Sequence, residues 1–386
     1  MWTFSKTVSK YEPAGSVLWE DAVMKRAMTL CAIVLLNASL FAEGMDKGRA
    51  MRLLKSENLE EVDQGVRTLK ANNDPAVMAQ TILQALSPLT MAFNAATLEN
   101  IPKLMNGLAD CNHPAAQAAL RKFVFSQSLG VAIAAADAIA AKPGQLLFDL
   151  FRIDKVQDSA NFKNSPALRA ALVKGLTALR EKESVEILVS AMPALKGKAL
   201  QQASGFLETV TGKDYGEKPL LWQGWWKTAK DGFEISAEVA ASAPPPDQYG
   251  YSSEHTATYY DIPLYARYVV FVLDTSSSMV EDGPKNPTRM ESAKKELINT
   301  IKALDEHTWF AIIAFNSTVA GWRSGIMSPA NQGNKDDAIH WVGYLKTGKG
   351  TNSSEALKRA FKCDNNTEAI FFLSDGKPSA GITDPK

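Results

Sequence analysis

The stretch "VVFVLDTSSSM", residues 269–279, joins an apolar run to a cluster of polar side chains. The run from Tyr268 to Leu273 is β-branched and aromatic with no polar alternation, which predicts a central strand covered on both faces of a parallel sheet. The polar residues that follow are Asp274, Ser276, Ser277 and Ser278. Open α/β sheets bind ligands outside the carboxyl ends of their strands, so a functional site is expected here. Taken alone, the stretch is equally compatible with a serine-rich turn.

Strand and helix patterns alternate after about Ile262. We predict strands at Tyr268 to Leu273, Thr308 to Phe315, Thr318 to Met327 and Glu368 to Ser374. We predict helices at Arg289 to Leu304, Lys335 to Leu345 and Ser353 to Cys363. The segment "FNSTV" leaves too few residues for a helix between the second and third strands, which predicts a hairpin. The order β-α-β-β-α-α-β indicates a Rossmann-like α/β domain over residues 262–386.

Two later stretches supply partners for the first. "GKGTNSSEAL" places Thr351 in a glycine-rich loop ahead of a helix, and "IFFLSDGKPSAG" ends the fourth apolar run with Asp375. Together, Asp274-x-Ser276-x-Ser278, Thr351 and Asp375 resemble the metal-ion-dependent adhesion site (MIDAS) of von Willebrand factor A (vWA) domains. The resemblance covers residues 262–386, and three separated pieces match in order. At the motif it departs from many members of that family in having Ser277 where they have glycine.

The resemblance implies a metal site with divided roles. The hydroxyls of Ser276, Ser278 and Thr351 would bind the ion directly, and Asp274 and Asp375 would act through bound water. Oxygen-only ligands suit a hard cation such as Mg²⁺, with Mn²⁺ or Ca²⁺ as alternatives. Few direct carboxylates leave the ion electrophilic, so we expect a protein partner to supply an acidic side chain to its open position.

The resemblance also implies two further strands with their helices after Asp375, whereas the sequence stops at Lys386. We therefore expect a C-terminally truncated vWA domain. Its fourth strand, "AIFFLS", would then be an unpaired apolar edge, which is an aggregation hazard.

A secretory signal pattern begins at Met24, in "MKRAMTLCAIVLLNASLFAEG". Two basic residues precede an apolar run that ends at Phe41, and Ala42 stands at a plausible cleavage point. We interpret residues 24–42 as a signal peptide and residues 1–23 as an upstream, mistranslated extension. The apolar run is shorter than the ~20 residues that span a bilayer, so a permanent anchor is the less favoured alternative. The mature protein is expected to be secreted or periplasmic, in a bacterial cell envelope, with only transient membrane contact through this segment.

Residues 45–230 carry a helical pattern. Asp74-Pro75, His113-Pro114 and Ser165-Pro166 each place a capping residue before a proline, which predicts three helix starts. The first two starts lie 39 residues apart and the next two 52. The shorter interval is close to the ~40 to 47 residues of a HEAT or armadillo unit. The stretch resembles a short HEAT-like helical repeat domain with an insertion at "RIDKVQDSANFKN"; an irregular helical bundle is the alternative.

Two further segments set the predicted domain organisation. Trp222, Trp225 and Trp226 are expected to close the last helices with an apolar plug, as terminal repeats require. The segment 231–261, which contains "SAPPPDQYG", is predicted to be a partly stiff linker. The chain is therefore predicted to be multidomain, with an all-α domain followed by an α/β domain.

Composition excludes several classes of function. The 386 residues contain 42 Lys and Arg against 42 Asp and Glu, so no electrostatic footprint for nucleic acid is present. The three cysteines form no CxxC pair, and the four histidines have no metal-ligand spacing, so neither a zinc site nor a disulfide framework is indicated. "GYLKTGKG" fails as a phosphate-binding loop, and no GxSxG motif occurs. We expect no catalytic residues and no enzymatic activity.

Two functions remain from these residues. The first is an exported, metal-dependent protein-binding module for adhesion or complex assembly, with the helical domain as a second interaction surface. The second is a non-catalytic scaffold in which the helical domain binds partners and the vWA domain is structural. A metal-chelatase or ring-ATPase partner is a weaker third possibility, because such machines do not need an exported N-terminus.

Overall fold

A computed structural model describes residues 47–91, 99–249, 257–281 and 287–381. The predicted extension at 1–23 and the predicted signal peptide at 24–42 lie outside these residues. The chain divides into two compact units, the first ending at Gly107 and the second beginning at Leu108. Among the described residues, no helix combines the length and apolar character needed to cross a membrane.

The first unit is helical. It contains a helical stretch at residues 47–54, then α1 (Leu59–Ala71), α2 (Pro75–Met91) and the start of α3 (Asn100–Asp110). The carboxylate of Asp74 accepts the Ala76 and Val77 N–H groups at 3.0 Å each, which confirms the predicted helix start at this Asp-Pro pair. Four apolar side chains of α2 are buried: Met78, Ile82, Ala85 and Leu86.

The second unit begins with a set of helices that we call the helical layer. They are α4 (Pro114–Phe123), α5 (Leu129–Ala141), α6 (Gln145–Arg152), α7 (Ala160–Asn164), α8 (Pro166–Leu179), α9 (Lys182–Ala191), α10 (Gly197–Thr211), α11 (Pro219–Ala229) and α12 (Ala237–Ser242). The side chains of His113 and Ser165 accept backbone N–H groups at the starts of α4 and α8, so both predicted starts are confirmed. Helix α8 packs against α5 and α10. A regular HEAT-like repeat stays a prediction.

Two predicted features of the helical layer have defined structures. The insertion forms a 3-10 turn at Val156–Asp158 and the short helix α7. In the tryptophan segment, Trp222 and Trp226 are buried, and Trp225 packs edge-to-face against Trp222 with ring centres 5.9 Å apart. The tryptophans therefore serve as packing residues at this end of the layer.

The two cysteines in the described residues differ in environment. Cys111 is buried, and this burial raises the pKa of its thiol to about 11. Cys363 is partly exposed, and burial of its thiol also raises its pKa. A raised pKa keeps a thiol protonated and unreactive near neutral pH, as expected for a packing residue.

The predicted linker, residues 231–261, is described up to Tyr249 and again from Ala257. Its first part forms α12 and a 3-10 turn at Pro246–Gln248, and Ala243 and Tyr249 of this part are buried. The Tyr249 ring is buried edge-to-face against Phe206, with centres 5.3 Å apart. The Arg180 guanidinium donates to three carbonyls of this segment, those of Ala240, Ala243 and Pro244. The helical layer and the α/β part both lie within the second compact unit. The domain boundary predicted at residues 231–261 stays a prediction.

The α/β part contains two sheets. The strands are β1 (Thr258–Tyr259), β2 (Ile262–Pro263), β3 (Tyr268–Asp274), β4 (Trp309–Phe315), β5 (Val319–Gly321), β6 (Ser328–Pro329) and β7 (Ala369–Leu373). Strands β1 and β2 form a separate hairpin, and the main sheet has the order β5-β4-β3-β7 with β6 also paired to β4. Strands β4 and β7 run parallel to β3, and β5 and β6 are antiparallel to β4. The predicted central strand and the predicted hairpin are confirmed.

Helices cover both faces of this sheet. Helices α13 (Arg289–Ala303) and α14 (Gln332–Tyr344) pack on the face that carries Phe271. Helix α15 (Ser353–Ala360) packs on the face that carries Val270 and Val272. Burial of successive residues on opposite faces explains why β3 shows no polar alternation.

The predicted third strand is wrong in part. Only Val319–Gly321 is extended, and the chain then enters a 3-10 turn at Trp322–Gly325 before pairing again at Ser328–Pro329. Trp322 causes the departure, because its ring is buried and stacks on Phe310 with centres 5.0 Å apart. A tryptophan that must reach the core beneath the helices cannot remain in the ladder of an edge strand.

Candidate functional site

The carboxyl edge of the main sheet brings the predicted polar residues together. Strands β3 and β7 are parallel neighbours with Leu273 paired to Leu373, so the residues that follow them emerge side by side. The loop before α15 reaches the same edge, because the Gly348 N–H donates to the Thr275 carbonyl at 2.8 Å. This arrangement is the strand-end crevice that the sequence predicts.

Asp274 is fully buried at the end of β3. One carboxylate oxygen accepts the Ser276 N–H at 2.7 Å, and the other accepts the Ser374 hydroxyl at 2.6 Å. Both oxygens are therefore fixed in direction by donors from two different strand ends. Sequence reasoning missed Ser374, although its place directly before Asp375 in "LSDG" is a signal for it.

A chain of hydrogen bonds joins the two serine hydroxyls to the second aspartate. The Oγ atoms of Ser276 and Ser278 lie 3.0 Å apart, and Ser278 Oγ donates to Asp375 Oδ1 at 2.8 Å. Four of the five predicted site residues are thus connected directly, across residues separated by as many as 101 positions of sequence.

Thr351 is held near the site by hydrogen bonds of its backbone. It is buried, its N–H donates to Ser379 Oγ at 2.9 Å, and its carbonyl accepts the Ser379 N–H at 3.1 Å. Asn316 holds the same loop, because its carbonyl accepts the Asn352 N–H at 2.7 Å. Within the described part of the chain, Thr351 makes no direct hydrogen bond to the other four residues.

Arg289 is a second residue that sequence reasoning missed. It begins α13, and its Nη1 donates to Asp375 Oδ2 at 2.8 Å while its Nη2 lies 3.1 Å from Glu281 Oε2. The hydrogen bond to Asp375 raises the pKa of Arg289. Asp375 is therefore held on one side by a hydroxyl and on the other by a guanidinium. A basic residue at a helix start carries no sequence signal for such a contact.

The donor set fits a small hard cation. It comprises three hydroxyls and two carboxylates, all of them oxygen ligands of the type that Mg²⁺ takes. Neighbouring oxygens around an octahedral Mg²⁺ lie about 3.0 Å apart when each metal–oxygen distance is about 2.1 Å. The 3.0 Å separation of the two serine hydroxyls meets this requirement. Groups of three or more His, Cys, Asp or Glu that could hold a metal are absent from the described residues.

Comparison with known proteins identifies this part of the chain. The family model of the von Willebrand factor type A domain matches residues 269–377. A vWA domain therefore occupies these residues, from β3 to just beyond Asp375.

Three proteins illustrate the similarity. Human von Willebrand factor A domain-containing protein 3B is 31% identical over 111 residues, which cover 28% of this chain and 8% of that protein. Human inter-alpha-trypsin inhibitor heavy chain H6 is 30% identical over 137 residues, which cover 32% of this chain and 10% of that protein. Pig inter-alpha-trypsin inhibitor heavy chain H1 is 29% identical over 127 residues, which cover 30% of this chain and 13% of that protein. The chain spans about a tenth of the length of these relatives.

Proposed function

We propose that this protein is a metal-dependent protein-binding module. The observation that carries the proposal is the chain of hydrogen bonds at the sheet edge, which joins Asp274, Ser276, Ser278 and Asp375. Mg²⁺ would be held by the hydroxyls of Ser276, Ser278 and Thr351, with both aspartates acting through water; Mn²⁺ or Ca²⁺ could take its place. When bound, the ion would act as a Lewis acid and would bind a carboxylate of a protein partner.

The comparisons support the protein-binding part of this proposal. vWA domains commonly bind protein partners and often carry a divalent metal. The site residues carry oxygens of the kind that bind a metal, and Asp274 accepts hydrogen bonds from the Ser276 N–H and the Ser374 hydroxyl. We therefore propose a non-enzymatic role in adhesion or complex assembly.

Export is a separate part of the proposal and rests on the sequence pattern at residues 24–42. A secreted or periplasmic location would place the metal site in the cell envelope, where the helical layer offers a second surface for partners. N-terminal sequencing of the mature protein tests this part, since processing near Glu43 is expected and an intact Met1 would contradict export.

A structural scaffold is the alternative function, and one contact favours it. Arg289 already neutralises Asp375, so part of the charge that would attract a cation is satisfied within the chain. In this alternative, the vWA domain uses no metal and the helical layer binds the partners.

The first test measures the melting temperature of the full chain in EDTA and across millimolar Mg²⁺. A ligand that binds only the folded state stabilises it by about RT ln(1 + [L]/Kd), so the melting temperature should rise with metal concentration. The rise should be lost in Ser276→Ala/Ser278→Ala and retained in the neighbouring Ser277→Ala. A flat response of the unmodified protein would contradict the metal site.

The second test separates the two functions. Arrays of paired peptides that differ only by Asp or Asn are probed with the full chain, with and without Mg²⁺. Metal-dependent preference for Asp is expected from the proposed function. Binding that ignores both the metal and the carboxylate would favour the scaffold.

A further inference from the structure

Strand β7 carries Asp375 two residues beyond its end, and it is an edge strand among the described residues. In the described part of the chain, β7 is hydrogen-bonded on one side only, to β3, over five residues. None of its side chains is fully buried, and Phe372 is 41% exposed. A slip of one residue would turn every side chain to the opposite face. Phe371 stacks on Phe271 and Phe372 on Phe315, with ring centres 5.7 and 5.5 Å apart. A contact at the start of β7 would add to this specification of the register.

One anchor lies at the start of β7. Glu368 donates its backbone N–H to the Tyr268 carbonyl at 2.9 Å, which sets the first step of pairing with β3. Its carboxylate is 7% exposed and accepts the Arg267 N–H at 2.7 Å and Arg169 Nη2 at 3.1 Å. A single side chain thus ties β7 both to the start of β3 and to the helical layer.

Arg169 is itself held rigidly. It lies on α8, its side chain is 2% exposed, and its Nη1 donates to the carbonyls of Phe162 and Lys163 at 2.9 and 2.8 Å. Burial lowers the pKa of Arg169, and the Glu368 carboxylate opposes that shift. A buried guanidinium fixed to two carbonyls gives Glu368 a stationary partner.

We propose that Glu368, held by Arg169, is a positioning residue for the metal site at the other end of β7. By fixing where β7 begins, the pair fixes where Ser374 and Asp375 emerge beside Asp274 and Ser278. The inference rests on the proposed metal function, and it makes the helical layer part of the structure that builds the site.

The chain contains a matched control for this inference. Lys198 and Asp305 form a second buried pair between helical layer and α/β part, 3.1 Å apart with side chains 9% and 5% exposed. Asp305 lies in the loop before β4, which is paired on both sides and carries none of the proposed ligands. A purely structural role would be shared by both pairs, whereas positioning belongs to the Glu368 pair alone.

The experiment compares Arg169→Met/Glu368→Met with Lys198→Met/Asp305→Leu in the full chain. Replacing both members of a buried pair avoids an uncompensated buried charge, so both variants are expected to fold. Each also leaves backbone groups without a side-chain partner, those of Phe162, Lys163 and Arg267 in the first variant and that of His307 in the second. Titration calorimetry with Mg²⁺ should show about tenfold weaker binding in the first variant, as for other outer partners of metal ligands, and unchanged binding in the second. Unchanged affinity in the first variant, or equal losses in both, would overturn the inference.

A second readout needs no metal. Amide hydrogen exchange in EDTA should be faster at residues 369–373 in the first variant, and unchanged there in the second. If the unmodified protein binds no Mg²⁺, the proposed function fails while this measurement still tests the positioning of β7. Identical exchange in β7 of both variants and the unmodified protein would reject Glu368 as its anchor.

Discussion

At the scale of single residues, Asp274 shows how a fully buried carboxylate is stabilised and oriented by hydrogen bonds. Both of its oxygens accept hydrogen bonds, one from a backbone N–H and one from the Ser374 hydroxyl. A buried charge without such donors would be costly, so the donors stabilise both the fold and the direction of the carboxylate. Ser374 is therefore as much a part of the site as the five residues of the motif.

Ser374→Ala tests this role at the residue scale. The substitution leaves one oxygen of the buried Asp274 without its hydroxyl donor, so the free energy of unfolding should fall by about 1–3 kcal/mol. Urea denaturation in EDTA measures the loss without any contribution from metal. Ser277→Ala, at an exposed neighbouring hydroxyl, should stay within about 0.5 kcal/mol of the unmodified protein. Equal losses in the two variants would show that Ser374 has no special role.

At the scale of elements, α13 positions a charged group of the site by the way it begins. Thr288 Oγ1 accepts the Glu291 N–H at 3.2 Å, and Glu291 Oε2 accepts the Thr288 N–H at 2.9 Å, which forms a capping box. The hydrogen bond from the Thr288 backbone lowers the pKa of Glu291. Because the helix starts here, Arg289 occupies its first position and reaches Asp375.

Thr288→Ala should remove this cap and lower the free energy of unfolding by about 1 kcal/mol, since an N–H at the helix start loses its acceptor. Urea denaturation measures the change. Thr288→Ser keeps the hydroxyl and is the matched control, with stability close to that of the unmodified protein. If serine is as destabilising as alanine, the contribution comes from the threonine methyl group and the capping explanation fails.

At the scale of the whole second unit, buried ion pairs join the helical layer to the amino ends of the strands. Burial raises the pKa of Asp305. The positive charge of Lys198 lowers it, as do hydrogen bonds from Lys198, Thr308 and the His307 N–H. Together these interactions outweigh burial, so the pKa of Asp305 is lowered. A carboxyl whose pKa is lower in the folded state stabilises the fold above its unfolded pKa, about 3.9. That stabilisation is lost as the pH falls through the folded pKa.

Asp305→Asn should therefore destabilise the protein in a pH-dependent way. At pH 7 it leaves Lys198 buried without its counter-charge, so the free energy of unfolding should fall by about 3–5 kcal/mol. Below about pH 4 the difference should narrow, because Asp305 of the unmodified protein becomes protonated as well. Urea denaturation at pH 7, 5 and 3 measures the gap, with the exposed Asp336→Asn as control. A gap that is constant with pH would contradict the assigned pairing.

The sequence by itself determined the elements and their order around the site. Each of these predictions rests on a local feature. The unbroken apolar run of β3 indicates burial on both faces, a capping residue before proline indicates a helix start, and the short "FNSTV" connection leaves room only for a hairpin. Because parallel strands end at a common edge, the positions of Asp274 and Asp375 in sequence were enough to predict that they meet. The proposed metal-site residues were predicted from this topology and from the resemblance to vWA domains.

Only the tertiary structure decided which side chains complete the site and how the parts join. Ser374, Arg289 and Glu368 make contacts with residues between 86 and 199 positions away. The place of Ser374 beside Asp375 puts it near the site, but no local pattern encodes the partners of these three residues. The segment 240–249 has the composition of a linker, yet Arg180 donates to three of its carbonyls and Tyr249 is buried. Composition and hydrophobic periodicity indicate which residues of a segment are buried and which backbone conformation the segment favours. Long-range hydrogen bonds and ion pairs depend on where the fold brings distant segments, which is why the structure alone revealed them.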